Sequence, residues 1–336
     1  MSMARLDVLT VGNALVDVLS LEDDEFVARH GLERGAMTLI DAERAEALYA
    51  AMGPGTEASG GSAANTAAGL ASFGATVGFV GRVCDDQLGA VFAHDIRAIG
   101  VEFGTAPAPD GAPTGRCLIV VTPDAQRTLN TFLGAASQLG PEDIDPVLVA
   151  GSAVTFLEGY LFDQDEAKEA FRHAARLAHD GSNRVALTLS DPFCVERHRA
   201  DFRDLVEHQV DLLFANEQEI CSLYEVDDFD AAAEQVRGHC EIAALTRSEL
   251  GSIVVTADDT HLVAAAPVDH VVDTTGAGDQ YAAGFLYGLT QGHDLPTCGR
   301  LGALAAAEVI SHLGARPEIS LADLARSELG GAPRHA

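Results

Sequence analysis

Two acids bracket two glycines in Asp273-Thr-Thr-Gly-Ala-Gly-Asp279, just ahead of a segment that carries Tyr281, Phe285, Leu286 and Leu289 at helical spacing. A helix that begins here leaves its first N–H groups without carbonyl partners and presents the positive end of its dipole. Glycine lets the backbone approach a ligand closely, so the N–H groups of Gly276, Ala277 and Gly278 could gather around phosphoryl oxygens as negative charge builds on them. Asp279, beside that pocket, is placed to take a proton from an attacking hydroxyl. A plainer reading stays open, in which Asp279 complements the helix dipole and the glycines serve packing.

Three other segments carry polar groups in suggestive order. Ala58-Ser-Gly-Gly-Ser-Ala-Ala-Asn65 leads small residues into a helix, with an amide one turn in that can both donate to and accept from adjacent hydroxyls. Asp17, in Gly12-Asn-Ala-Leu-Val-Asp17, could accept two hydrogen bonds from a vicinal diol, or be an ordinary turn aspartate. Asn216-Glu-Gln-Glu219 sets Asn216 and Glu219 on one helical face, suited either to the waters of a Mg²⁺ ion or to a helix cap. Thr246-Arg-Ser-Glu-Leu-Gly251 is a turn between two predicted strands that could border a nucleotide.

These residues need a scaffold, and the pattern of the chain supplies one. Short apolar runs at 6–11, 76–80, 117–122, 153–157, 185–189, 212–214, 242–246 and 252–256 read as strands. Segments with helical spacing lie between them at 63–73, 87–99, 166–179 and 231–240, and an Ala-rich helix is predicted over 302–312. Strands alternating with helices predict an α/β fold with a mostly parallel central sheet covered on both faces. Two strand-prone excursions, 15–41 and about 104–133, interrupt the alternation and are predicted to pair into a small β-sheet lid over the carboxyl ends of the parallel strands. No linker or repeat divides the chain, so residues 1–336 are expected to form one domain with a discontinuous lid.

Composition narrows the chemistry. The net charge of −30 would repel a nucleic-acid backbone or an anionic membrane, and no apolar run is long enough to span a bilayer. The start of the chain lacks the charged and apolar blocks of a secretory signal, which predicts a cytoplasmic protein. Lys168 is the only lysine and sits in a charged stretch that reads as a solvated helix face, so a phosphate-binding loop built on lysine is excluded. The first strand is not followed by GxGxxG, which argues against a nicotinamide dehydrogenase. Six scattered cysteines and twelve histidines show no metal or disulfide spacing.

In this order and together, the segments resemble the ribokinase, or phosphofructokinase-B type, superfamily of sugar and nucleoside kinases, from Gly12 to Gly314-Ala-Arg-Pro317. The resemblance implies ATP as phosphoryl donor with Mg²⁺, Asp279 as base, and Gly276, Ala277 and Gly278 as anion hole. It implies Asn13, Asp17, Gly60, Gly61, Ser62, Asn65 and Glu158 around the acceptor substrate. Arg127, Asn216, Thr246, Gly251 and Thr275 would face ATP, with Asn216 and Glu219 holding Mg²⁺ through water. Asp273 and Thr275 match the position where some members hold a monovalent cation such as K⁺. One departure stands out: Ser248 occupies a turn position where the family usually has glycine.

Within the superfamily, Gly60-Gly-Ser62 with Asn65, and Leu15-Val-Asp17 followed by 24–32, are most similar to the adenosine kinases; ribokinases carry Gly-Gly-Lys and fructokinases usually Gly-Gly-Ala. Arg127-Thr-Leu-Asn130 agrees with that branch. The resemblance therefore implies phosphorylation of the 5′-hydroxymethyl group of a ribonucleoside, adenosine first, and a role in purine salvage. A kinase for ribose, fructose or a keto-sugar acid is the alternative, and a non-catalytic ligand-binding protein the second. A monomer and a homodimer are equally compatible with these residues.

Overall fold

Leu6–Val11 (β1) is buried along almost its whole length, as a central strand covered on both faces must be. The structure is a computed structural model and describes residues 6–124 and 126–330. The remaining strands, in chain order, are β2 (Leu15–Leu21), β3 (Met37–Leu39), β4 (Gly55–Gly60), β5 (Val77–Val80), β6 (Glu102–Phe103) and β7 (Gly115–Val121). They continue with β8 (Arg127–Phe132), β9 (Ser152–Glu158), β10 (Arg184–Thr188), β11 (Leu212–Asn216), β12 (Ile242–Thr246), β13 (Ser252–Val255) and β14 (Thr260–Val263).

Nine of them form one sheet in the order β14-β13-β12-β11-β10-β9-β1-β5-β6. From β6 to β12 every pairing is parallel, and β13 and β14 extend the edge as an antiparallel hairpin. Side-chain alternation divides the core in two. Leu213 and Ala215 pack with Phe171 and Phe202 of the helices Asp165–Asp180 and Pro192–His208, while Leu212 and Phe214 pack with Leu70 and Phe285 of the helices Ser62–Phe73 and Ala277–Thr290. The central sheet and its two helical layers are those expected from the alternation of the sequence.

The other five strands form a second, small sheet, β3-β8-β7-β2-β4. Its pairings join the two excursions directly, since β2 runs parallel to β7 and β3 parallel to β8. Ala125, inside the second excursion, lies outside the described residues. Three strands were not anticipated, the edge strands β6 and β14 of the large sheet and, in the small one, β4, Gly55-Thr-Glu-Ala-Ser-Gly60, which pairs antiparallel with β2 although it has little apolar character. Its place in the sheet comes from backbone hydrogen bonds along an edge, which leave no hydrophobic pattern to read.

Several boundaries also differ. The helix predicted over 231–240 spans Phe229–Val236, started by Asp228, whose side chain accepts from the Ala231 N–H, and followed by a turn. The Ala-rich helix is Leu295–Val309, begun by the Asp294 cap with a proline in its first turn and ended well before 312. Within 15–41 a short helix, Asp24–Arg29, separates the two strands. Lys168 is not on a solvated face: its side chain is 14% exposed, pairs with Asp201 at 2.7 Å and lies over the Phe162 ring.

Candidate active site

The carboxyl ends of the parallel strands open into a cavity of about 1190 Å³. That exceeds the roughly 300–1,000 Å³ usual for one small ligand and leaves room for two. Its floor holds Glu158, Thr188, Asn216 and Thr246 at the ends of β9, β10, β11 and β12, together with Asn13 just after β1. Its roof is one face of the small sheet. Val16 and Val18 of β2 point into the core, so the alternating Asp17 and Leu19 face the cavity, beside Cys117 and Ile119 of β7 and Leu129 of β8.

Asp279 stands in the first turn of Ala277–Thr290, preceded by Gly276 in the left-handed region at φ 78°. A Cβ on Gly276 would lie 2.7 Å from the Ala315 backbone, so the turn can pack there only as glycine. Gly276, Ala277, Gly278 and Thr275 line the cavity with Asp279, and the Ala277 N–H already reaches the Thr274 carbonyl at 3.2 Å. The Asp279 carboxylate accepts from Ser62 Oγ at 2.6 Å and from Asn65 Nδ2 at 3.3 Å. Burial pushes its pKa up to about 6 against the pull of those two donors, which suits a base working near neutral pH.

The glycine pair is explained by close approach. A Cβ on Gly60 would lie 2.4 Å from the Asp17 carboxyl carbon, and Gly61, at φ 101°, has the Asn13 carbonyl 2.1 Å from where its Cβ would be. Asp17 is pushed up to about 6 by burial, with Arg316 and Arg127 pulling the other way. Glu158 is 1% exposed and accepts from Asn13 Nδ2 and from the Ala63 N–H, both at 2.7 Å. It thereby ties the loop after β1 to the start of Ser62–Phe73. Burial pushes it up to about 7. Asn13 Oδ1 is buried without a protein partner, an acceptor left over at the cavity wall.

Asn216 and Glu219 form a reciprocal capping box, the plainer of the two readings of that segment. The Asn216 side chain accepts from the Glu219 N–H at 2.9 Å, and the Glu219 carboxylate accepts from the Asn216 N–H and Nδ2 at 2.9 and 2.6 Å. Both residues nevertheless line the cavity. Burial pushes Glu219 up to about 7, and the charges of Asp191 and Asp279 add to the shift. Among the described residues no group of three His, Cys, Asp or Glu side chains could cage a metal directly. An ion that keeps most of its water fits this acidic corner better than a dehydrated one.

One expected residue falls elsewhere. Gly251 does not line the cavity; it serves a turn, at φ 87°, where a Cβ would lie 2.2 Å from the Val263 carbonyl. Ser248 takes up the left-handed region at φ 49°, the conformation for which the family's usual glycine is suited. Arg127, expected to reach a phosphate, does line the cavity and is paired there with Asp273, their side chains only 9% and 8% exposed. Asp273 also accepts from the Thr275 N–H and Oγ1 at 3.0 and 2.6 Å and from the Gly314 N–H at 3.0 Å. Burial raises this carboxyl, but those bonds and the guanidinium together hold it below the usual aspartate value. The Asp273 carboxylate is thus engaged by Arg127, Thr275 and the Gly314 N–H.

Arg316, which the sequence offers only as part of Gly314-Ala-Arg-Pro317, lines the cavity as well. Its Nε donates to Asn65 Oδ1 at 3.3 Å and its Nη1 pairs with Asp95 at 3.1 Å. Gln280, also not foreseen, donates from Nε2 to the carbonyls of Asn65 and Ala315, both at 2.9 Å.

Comparison with known proteins matches residues 36–321 to the pfkB family of carbohydrate kinases. The solved structure of an adenosine kinase from Sinorhizobium meliloti is similar at a TM-score of 0.89 and 53% identity, over 97% of this chain and 100% of that one. The adenosine kinase of Saccharomyces cerevisiae is 28% identical over 328 residues, 91% of this chain and 95% of that protein. The 5-dehydro-2-deoxygluconokinase of Geobacillus thermodenitrificans is 27% identical over 263 residues, 75% of this chain and 78% of that protein.

Proposed function

The chain belongs to the pfkB family of carbohydrate kinases, phosphotransferases with an alcohol acceptor, and from that premise we propose that it moves the γ-phosphate of ATP to the 5′-hydroxymethyl group of a ribonucleoside, adenosine first. The observation that carries the nucleoside reading is the shape of the acceptor side of the cavity. A carboxylate suited to a diol, Asp17, sits beside an apolar roof of Leu19, Ile119 and Leu129. A ribonucleoside offers both features at once, a vicinal diol and a flat base with apolar faces. A sugar acid offers nothing for the roof.

In the proposed reaction the small sheet closes over the acceptor, and Asp17 with the Asn13 acceptor holds the ribose hydroxyls. The 5′-hydroxyl then lies against Asp279, which takes its proton as the oxygen attacks in line. The N–H groups of Gly276 and Gly278 at the helix start, flanking the Ala277 N–H that reaches the Thr274 carbonyl, receive the charge that builds on the transferred phosphoryl group. Mg²⁺, when bound with the nucleotide, neutralises phosphate charge, and Glu219 with Asn216 and Asp191 would hold its waters.

A second reading has its own support. Arg316 faces the same cavity with its Nη2 buried and unpaired, and a guanidinium suits the carboxylate of a keto-sugar acid, the class that the 5-dehydro-2-deoxygluconokinase relative acts on by name. Release of ADP measured with adenosine, inosine, guanosine, ribose, fructose and 5-dehydro-2-deoxygluconate separates the two. Highest kcat/KM with a nucleoside supports the proposal, and highest kcat/KM with a free sugar or sugar acid overturns it.

A further inference from the structure

Asn65 is held between two groups that cannot exchange roles. Its Nδ2 donates to Asp279 Oδ2 at 3.3 Å, and its Oδ1 accepts from Arg316 Nε at 3.3 Å. An ionised carboxylate only accepts and a guanidinium only donates, so one orientation of the amide satisfies both and the flipped one satisfies neither. Flipped, the amide would turn its oxygen toward the Asp279 carboxylate and its NH₂ toward the guanidinium.

Arg316 is itself fixed. Its Nη1 meets Asp95 Oδ2 at 3.1 Å, and the same carboxylate accepts from the Ser59 N–H at 2.8 Å and from Ser59 Oγ at 2.5 Å. Ser59 belongs to β4, next to the strand that carries Asp17, and Asp17 pairs in register with Ala58. The backbone on either side of the contact is pinned as well, because Gln280 Nε2 bridges the carbonyls of Asn65 and Ala315 at 2.9 Å each. The Arg316 Nη2 atom is buried without a partner, so protein contacts alone do not explain why a guanidinium stands in this wall.

We propose that Arg316 is a positioning residue for phosphoryl transfer: anchored by Asp95, it sets the orientation of the Asn65 amide and, through it, the Asp279 carboxylate. This rests on the reading of Asp279 as the base. Without Arg316 the amide is free to flip, the carboxylate loses one of its donors, and its rotamer is held by Ser62 alone. The other titratable groups that reach Asp279 are Asp17, Glu158, Tyr160 and Glu219, and the variants below leave all four in place.

The test compares Arg316→Gln, Arg316→Lys, Asn65→Leu and the double variant, in kcat, KM for each substrate and the pH profile of kcat. Arg316→Gln should lower kcat about 10- to 100-fold with KM for ATP nearly unchanged, and should move the acid limb of the profile to higher pH, because the ionised base loses a donor. Arg316→Lys keeps a group that only donates and should recover most of the loss. The double variant should be no worse than Asn65→Leu, since the two act in series. Four results would each overturn the proposal: kcat unaffected in Arg316→Gln, an unmoved acid limb, a lysine variant as impaired as the glutamine one, or additive losses. A rise confined to the acceptor KM would also overturn it, and would make Arg316 a substrate ligand instead. Should Arg316→Gln fail to fold, Asp95→Asn loosens the same anchor and must show the same limb shift in smaller degree. Near-normal turnover in Asp279→Asn would instead remove the base assignment on which this inference rests.

Discussion

Asp279 can act as a base only while ionised, so turnover should rise with pH through its pKa, which burial pushes up to about 6. Ser62 Oγ donates to this carboxylate at 2.6 Å and so favours the ionised form. A hydrogen bond to a charged group contributes about 1.5–3 kcal/mol, and one pKa unit is about 1.4 kcal/mol, so removing the hydroxyl in Ser62→Ala corresponds to a rise of about one to two units. The carboxylate faces a cavity where water can replace part of the lost bond, which favours the lower end, about one unit. At pH 7 the ionised fraction then falls from about nine-tenths to about one half, and turnover falls about twofold while the alkaline plateau is kept. The assay is ADP release at saturating substrates, from pH 5 to 9 at constant ionic strength. An acid limb that stays in place would refute the reasoning, as would a plateau lowered tenfold without a limb shift. Either outcome would show that the Ser62 hydroxyl does not set the ionisation of Asp279 during turnover.

Three further outcomes follow from the same geometry. Asp279→Asn should leave nucleotide binding intact, measured by titration with ATP, and lower turnover by at least about a hundredfold; turnover within a few fold of the parent protein would end the assignment. Gly60→Ala puts a methyl group where the Asp17 carboxyl lies 2.4 Å away, so Asp17 must move. The acceptor KM should rise about tenfold or more while KM for ATP changes little, and equal changes in both would argue against Asp17 as a diol ligand. Stability should fall as pH rises from about 4 to about 7, because Asp17 and Asp279 at about 6, and Glu158 and Glu219 at about 7, are all raised and keep protons in the folded state that the unfolded chain releases. Thermal melts should show a lower Tm at pH 8 than at pH 5.5, and the reverse order would contradict the assignment of buried, raised acids.

What the sequence made legible is what a segment decides by itself. The run Leu-Asp-Val-Leu-Thr-Val in β1 announces a strand buried on both sides, and Gly-Ala-Gly-Asp at 276–279 announces a left-handed turn opening a helix, because sterics and apolar period act over a few residues. Strand β4 was hidden for the matching reason: Gly-Thr-Glu-Ala-Ser-Gly has no period, and its place on β2 comes from the backbone. The same limit divides the site. Gly61 and Asp279 could be picked out because each answers a local demand of turn or helix start, whereas the reason for Gly60 is the distant Asp17 carboxyl. Gly251 was picked out for the same kind of signal and serves only its turn.

Pairings across the fold leave no such trace. Arg127 and Asp273 are joined over 146 positions, a pairing that neither segment announces by itself. Arg316 and Asn65 are 251 positions apart, and Asn65 and Asp279 are 214. Type and spacing can say that an amide and an acid are present. Which way the amide faces depends on whether its other end meets a donor or an acceptor, and the fold decides that by bringing a guanidinium to Oδ1. The acid proposed as base is therefore legible locally at Gly276 to Asp279, while the guanidinium proposed to orient it stands 251 positions from the amide it meets.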